Sequence, residues 1–192
     1  MYEFEDAAKF AADAHRGQKR KLNPIPYVVH PMEVAAIIAT MTDDTDIITA
    51  GILHDTVEDC GVSPVTIAER FSWRVAKLVI SETESEPEGL SKADTWLERK
   101  KGSLEMLRKA DDVGVKMLWL ADKLANVRSF YRTYLEVGTH VWDGMHQHDP
   151  AVQEWYYRNV QEECAALAET VAYREYSYLL DRLFADNASG IK

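Results

Sequence analysis

The sequence lacks most of the features that mark membrane, secreted or nucleic-acid-binding chains. No apolar run approaches the roughly 18 residues that a bilayer span requires, so there is no candidate membrane helix. The N-terminus, MYEFEDAAKF, is acidic and amphipathic, unlike the cationic start of a signal peptide. Cysteine is scarce: Cys60 and Cys164 lie far apart with no metal-ligand spacing around either. Both read as reduced thiols of a cytoplasmic protein and not as a disulfide. Positive charge is also in short supply, and the net charge of −10 argues against a nucleic-acid polymer, which normally needs a basic face. Hairpin signatures, internal repeats, low-complexity tracts and glycine-rich phosphate loops are missing. A small phosphorylated ligand stays compatible with this composition, because a local group of cations is enough to hold one. HRGQKRK, residues 15 to 21, is such a group and contains no acid.

Helical periodicity fills the chain. Phe4, Ala7, Ala8, Ala11, Ala14 and His15 share one face of a first helix, which Gly17 and the NPIP stretch at 23–26 end in a loop. Pro31 suits the first turn of a second helix, PMEVAAIIATM. The acidic joint Asp43–Asp46 predicts a cap for a third helix running on into ILHDTVED, residues 52–59. Ser63-Pro64 and Ser72 mark two further helix starts. Residues 83–94, TESEPEGLSKAD, are the most loop-like part, where mobility is expected. WLERKKGSLEMLRKA resumes a helix, VKMLWLADKLANVRSFYRTYLE is long, apolar and central, and after a Gly- and His-rich turn near 138–149 the final helices follow. At 192 residues the expectation is one all-α domain spanning 1–192, with C-terminal helices 150–186 packed on it.

Several polar residues sit on otherwise apolar helical stretches: His30, His54, Asp55 and Asp122. A buried carboxylate is costly unless it is paired or bound to a metal. Two imidazoles with two carboxylates form a nitrogen/oxygen set suited to Mn²⁺, Fe²⁺ or Zn²⁺. Neighbours on a helix point about 100° apart, so His54 and Asp55 can share an ion only in a groove between helices. His30 and Asp122 would complete the set from two others, leaving positions for an acidified water. Glu58 lies one turn beyond the His54-Asp55 pair, where a carboxylate can take a proton from that water. Taken singly, each of these residues reads as a helix cap, an ion-pair half or a solvated helix end. Only their combination points to chemistry.

YVVHP, AGILHDTVED and LADKLANVRS, in that order, resemble the hydrolase half of the RelA/SpoT homologues. They are most similar to the stand-alone small alarmone hydrolases of the HD phosphohydrolase superfamily. The similarity runs from about residue 5 to 130 and includes HRGQKRK and the ERK at 98–100. The resemblance implies a Mn²⁺-dependent removal of pyrophosphate from the 3′ position of ppGpp and pppGpp. It also implies metal ligands at His30, His54, Asp55 and Asp122, and an acidic pair handling the attacking water at Glu58 and Asp59. Arg20 and Lys21 match the family's basic pair beside the nucleotide, and Asn126 its sugar-contacting asparagine. Arg128 reads as structural, and Arg99 and Lys100 either approach the phosphates or form an exposed helical face. The longer relatives add a synthetase and regulatory domains, so this chain is expected only to degrade. An oligomer is compatible with the sequence.

The pattern also departs from the family. Trp119 stands three residues before Asp122 where many relatives carry lysine, which is expected to remove a cation close to the site. ISETESEPEG does not resemble the usual connection. EWYYR, residues 154–158, offers either an aromatic lid or ordinary core, and a second metal at His140, His146 and His148 is not expected from a turn without a fixed scaffold. Two rival readings remain. One is a phosphohydrolase for another nucleotide: an adenine alarmone such as pppApp, NADPH or a nucleoside monophosphate. The other is a silent nucleotide-binding module.

Overall fold

A computed structural model of the chain describes residues 2–20, 24–84, 91 and 94–185. Among these the architecture is helical: α1 (Phe4–Ala14), α2 (Val29–Ile38), α3 (Thr45–Leu53), α4 (Asp55–Cys60), α5 (Pro64–Arg70), α6 (Trp73–Ile80), α7 (Trp96–Lys109), α8 (Val113–Val137), α9 (Pro150–Glu163) and α10 (Val171–Leu183). Local chemistry explains most of the boundaries. The carboxylates of Asp44, Asp112 and Asp149 accept backbone N–H groups at the starts of α3, α8 and α9, and the hydroxyls of Ser63, Ser72 and Thr170 do so for α5, α6 and α10. Gly61, in the left-handed region at φ 67°, ends α4.

The anticipated third helix does not run through its acidic end. It stops at Leu53, and α4 begins at Asp55, with His54 at the joint. The loop before α2 is also more ordered than a simple break. An antiparallel bridge pairs Lys19 with Pro26, Tyr27 N–H donates to the Gln18 carbonyl at 3.0 Å, and Arg20 N–H donates to the Ile25 carbonyl at 3.1 Å. The expected mobile stretch falls largely on residues 85–90, 92 and 93, outside the described residues. The turn after α8 is a 3-10 helix (Gly138–Gly144) anchored by buried Trp142, whose ring stacks on Phe184 at 5.3 Å.

The core is organised along α8, which buries Leu118, Leu120, Leu124 and Val127 and packs against α2, α3 and α10. Arg128 ties this arrangement at the surface, donating to Glu175 of α10 and Glu33 of α2, which gives it the structural role expected. Helices α2 and α3 approach closely at Gly51. A Cβ there would lie 2.6 Å from Ile38 Cδ1 and 3.2 Å from the Ala35 Cα. A methyl group there would have to turn the Ile38 side chain aside and force the two backbones a few tenths of an ångström apart. Gly51→Ala should therefore destabilise the fold by about 1–3 kcal/mol, the usual cost of overpacking. Urea denaturation measures this, and an unchanged midpoint would show that the two helices are not held at this spacing.

Candidate active site

The α2–α3 contact and the long α8 bring three buried side chains to one point. His30 is the second residue of α2, His54 is the joint between α3 and α4, and Asp122 lies mid-way along α8. One ligand atom from each lies within 4.8 Å of the other two. Asp122 Oδ1 is 2.9 Å from His30 Nε2 and 3.7 Å from His54 Nε2. Asp55 joins from the start of α4, with Oδ2 at 3.0 Å from His54 Nε2 and 3.7 Å from His30 Nε2.

These separations suit a cation. Adjacent ligand atoms around an ion with bonds of about 2.1 Å stand about 3 Å apart. A second observation supports the same fit. His54 Nδ1 lies 2.9 Å from the Gly51 carbonyl, an acceptor only, so this nitrogen carries a proton and Nε2 is the one left to offer a lone pair when a cation displaces its proton. Nε2 is buried and faces the carboxylates of Asp55 at 3.0 Å and Asp122 at 3.7 Å. A buried imidazole nitrogen fixed by a carbonyl on its other side is the arrangement found in histidine metal ligands.

The supporting groups are equally specific. Asn126 Nδ2 donates to Asp122 Oδ1 at 2.8 Å, and Tyr27 O–H donates to Asp55 Oδ2 at 2.8 Å. The ammonium of Lys123 pairs with Asp122 Oδ2, reaches Glu82 Oε1 at 3.1 Å and lies 4.8 Å from the Trp119 ring centre. This corrects the expectation attached to Trp119. The site does not lack a cation, because Lys123 supplies one, while the buried Trp119 donates its indole N–H to the Ser81 carbonyl.

Electrostatics follow from these contacts. Burial opposes ionisation of Asp122, but Lys123 and the two imidazoles hold its carboxyl well below the usual range. Asp55 is depressed against burial by His54. Burial lowers the His30 pKa, whereas for His54 the charge of Asp55 and the Asp122 contact overcome burial and raise it. Burial lifts Glu82 to about 8. The donor set is thus anionic and enclosed, as a divalent cation requires.

A cleft of about 340 Å³ opens beside this group, lined by Arg20, Tyr27, Asp55, Glu58, Asp59 and Asn126 on one side and by Glu84, Trp96, Arg99, Lys100, Tyr156 and Tyr157 on another. Arg20 donates to Asn126 Oδ1 at 2.9 Å and lies 5.6 Å from the Tyr27 ring centre. Glu58 is exposed to the cleft, and its Oε2 accepts the Glu84 backbone N–H at 3.2 Å. Desolvation by the cleft walls, then the charges of Asp55, Glu84 and Asp59, raise its pKa. Asp59 is exposed at the same rim, and its carbonyl accepts from Gln18 Nε2 at 3.1 Å, tying α4 to the basic loop. Lys21, the other basic residue singled out in the sequence, lies outside the described residues.

Sequence reasoning missed Lys123, Glu82 and Tyr27. Lys123 adjoins Asp122 and Tyr27 sits three residues before His30, but an isolated lysine or tyrosine carries no signal of what it will face. Arg99 and Lys100 do not form an exposed face. Both are largely buried and converge on Glu84. Tyr156 and Tyr157 are core residues that also form a cleft wall. His140 pairs with Asp143 and His148 with the Trp142 carbonyl.

Known proteins give the same outline. A model of the HD domain matches residues 7–142. The chain is 39% identical over 131 residues to a mouse guanosine-3′,5′-bis(diphosphate) 3′-pyrophosphohydrolase, covering 66% of this chain and 69% of that one. It is 38% identical over 134 residues to the Aquifex aeolicus protein of the same name, covering 67% of this chain and 18% of that one. It thus spans less than a fifth of the length of the first curated relatives it matches. A solved metazoan orthologue of SpoT, described as hydrolysing ppGpp, superposes with TM-score 0.71 at 26% identity, over 97% of this chain and 98% of that one. A Listeria monocytogenes structure superposes with TM-score 0.71 at 30% identity, over 81% of this chain and 99% of the other.

Two variants test the metal geometry. Asp122→Ala should abolish binding of one divalent cation per chain, and Asn126→Ala, which frees the Asp122 carboxylate, should weaken it roughly 10- to 100-fold. Calorimetric titration of chelator-stripped protein reads both. Unaltered affinity in Asp122→Ala would place the ion elsewhere.

Proposed function

The chain belongs to the HD domain family, and on that premise we propose that it is a Mn²⁺-dependent 3′-pyrophosphohydrolase of ppGpp and pppGpp. One observation carries this reading. Asp55, which pairs with His54 and lies near His30, lines the same cleft as a carboxylate with a raised pKa, Glu58, and the linked pair Arg20 and Asn126, the latter bonded to Asp122. The names of the relatives supply the substrate. In this reading His30, His54, Asp55 and Asp122 hold the metal. A divalent cation held by them would supply Lewis-acid polarisation of a phosphoryl oxygen and a lowered pKa for water.

The remaining work falls to the chain's own groups. Arg20 stacks on the base and meets phosphate, Lys21 adds a point charge, and Asn126 contacts the ribose. These fix the nucleoside to one side, so the phosphorus bonded to the ribose 3′ oxygen lies nearest the attacking water. Asp59 orients that water and Glu58 takes its proton. The new P–O bond forms as the bond to the 3′ oxygen breaks. The 3′ oxygen leaves with a proton from solvent, and the products are GDP or GTP and intact pyrophosphate. We also read residues 1–192 as a single domain, supported by the packing of α10 along α8. A cytoplasmic setting is supported by the composition, and among the described residues no helix is long and apolar enough to cross a membrane.

Turnover of ppGpp should exceed that of pppApp, NADPH and a deoxynucleoside monophosphate, with pyrophosphate as the first product by phosphorus NMR. Orthophosphate appearing first would mean that the substrate sits the other way round. Arg20→Ala should raise KM more than it lowers kcat, because the contact is shared by ground and transition states. Glu58→Gln should keep the metal and slow turnover by roughly 10² or more. Glu58 acts as the base only when ionised, so activity should fall as pH drops through its raised pKa, above the ordinary carboxylate range. If the acid limb persists unchanged in Glu58→Gln, the titrating base is another group.

A further inference from the structure

Helix α7 presents three donors to the Glu84 carboxylate: Arg99 and Lys100, which line the cleft with Glu84, and the buried Ser103. Arg99 Nη1 pairs with Glu84 Oε2, Lys100 Nζ donates to Glu84 Oε1 at 2.6 Å, and Ser103 Oγ donates to the same oxygen at 3.1 Å. The cluster is deliberately enclosed: the side chains of Glu84 and Arg99 are each 8% exposed and that of Lys100 17%. Lys100 rests on an aromatic floor, 4.9 Å from the Tyr156 ring centre and 5.9 Å from that of Trp96. Ion pairs in such surroundings contribute little net stability once desolvation is counted. A guanidinium, an ammonium and a hydroxyl around one anion are, however, the donors that a terminal phosphoryl group with three oxygens would use.

Position gives the anion a role. Glu84 also donates its backbone N–H to Glu58 Oε2 at 3.2 Å. The α7 donors are thus linked through one residue to the carboxylate placed at the attacking water. With the nucleoside held by Arg20 and Asn126, the outer phosphoryl of a 3′-diphosphate has to lie beyond the attacked phosphorus, away from the ribose. We infer that Arg99, Lys100 and Ser103 form the subsite for that outer phosphoryl group, and that the Glu84 carboxylate is an internal stand-in which the substrate displaces. This rests on the proposed reading of the reaction. It also accounts for release of pyrophosphate in one piece, since the outer phosphorus is held away from the water. Displacement would move the Glu84 backbone as well, releasing Glu58 from its amide as the substrate arrives. Burial lowers the Lys100 pKa, so an anion beside it, Glu84 or phosphate, favours its charged form.

The test needs no turnover. Binding of inorganic pyrophosphate is measured calorimetrically in EDTA, with wild type and three variants. Lys100→Met should weaken it roughly tenfold or more, the loss expected for one charge-assisted contact, and Lys100→Arg should stay near wild type. Glu84→Gln should tighten it about tenfold, because removing one charge-assisted competitor is the same quantity with the opposite sign. A purely structural network predicts weaker or unchanged binding in Glu84→Gln, and that result would overturn the subsite. Because this variant leaves two cations uncompensated, its Tm is expected to fall, yet pyrophosphate should raise it by more than in wild type. A smaller ligand-induced rise would also count against the inference. The two proposals fail separately. Opposite shifts in pyrophosphate affinity without ppGpp hydrolysis would keep the subsite and remove the substrate, whereas ppGpp hydrolysis with indifferent pyrophosphate affinity would do the reverse.

Discussion

The Asp122 carboxylate is the charge around which the rest of the site is arranged. It is 4% exposed on the most buried stretch of α8, where an unpartnered charge would be prohibitive. Every partner it has comes at a structural cost elsewhere. Lys123 needs Glu82 and the Trp119 ring beside it, and Trp119 in turn holds the Ser81 carbonyl. His30 needs α2 against α8, and His54 needs α3 close to α2, a spacing available only because residue 51 is glycine. Removing one member of such a buried set typically costs about 3–5 kcal/mol because the others are left uncompensated.

Adjacent residues on a helix diverge by about 100°, and His54 keeps helical backbone angles of φ −54° and ψ −42° where α3 gives way to α4. The pair still meets in the groove: the His54 ring bonds back to Gly51 through Nδ1, and Asp55 Oδ2 lies 3.0 Å from its Nε2. The short α4 then carries Glu58 and Asp59 out to the cleft.

Much of this was legible in the amino-acid sequence, for identifiable reasons. Periodicity and caps give the helices because both are local: Ser63, Ser72 and Asp44 each act within three residues. His30, His54, Asp55 and Asp122 stand out because polar side chains on apolar helical faces need partners, and the fold brings all four together. What stayed hidden depends on long-range contact. Nothing near Lys123 indicates that it meets Glu82, 41 residues away, and nothing near Glu84 indicates that Arg99, Lys100 and Ser103 will close on it. The break at His54 was hidden for a related reason, since its backbone angles are still helical and only the hydrogen-bond ladder changes hands.

The walls of the cleft come from different parts of the chain. His30, His54, Asp55, Asp122, Glu58, Arg20 and Asn126 all fall within residues 7–142, the stretch matched by the family model, whereas Gln153, Tyr156 and Tyr157 belong to α9, beyond it. The wall contributed by α9 is thus core and lining at once: Tyr156 is 1% exposed, and its ring centre lies 4.9 Å from the ammonium of Lys100 on α7. Any replacement that reshapes the cleft from this side also opens the packing behind it, so the breadth of the cleft and the stability of the C-terminal helices are set by the same rings.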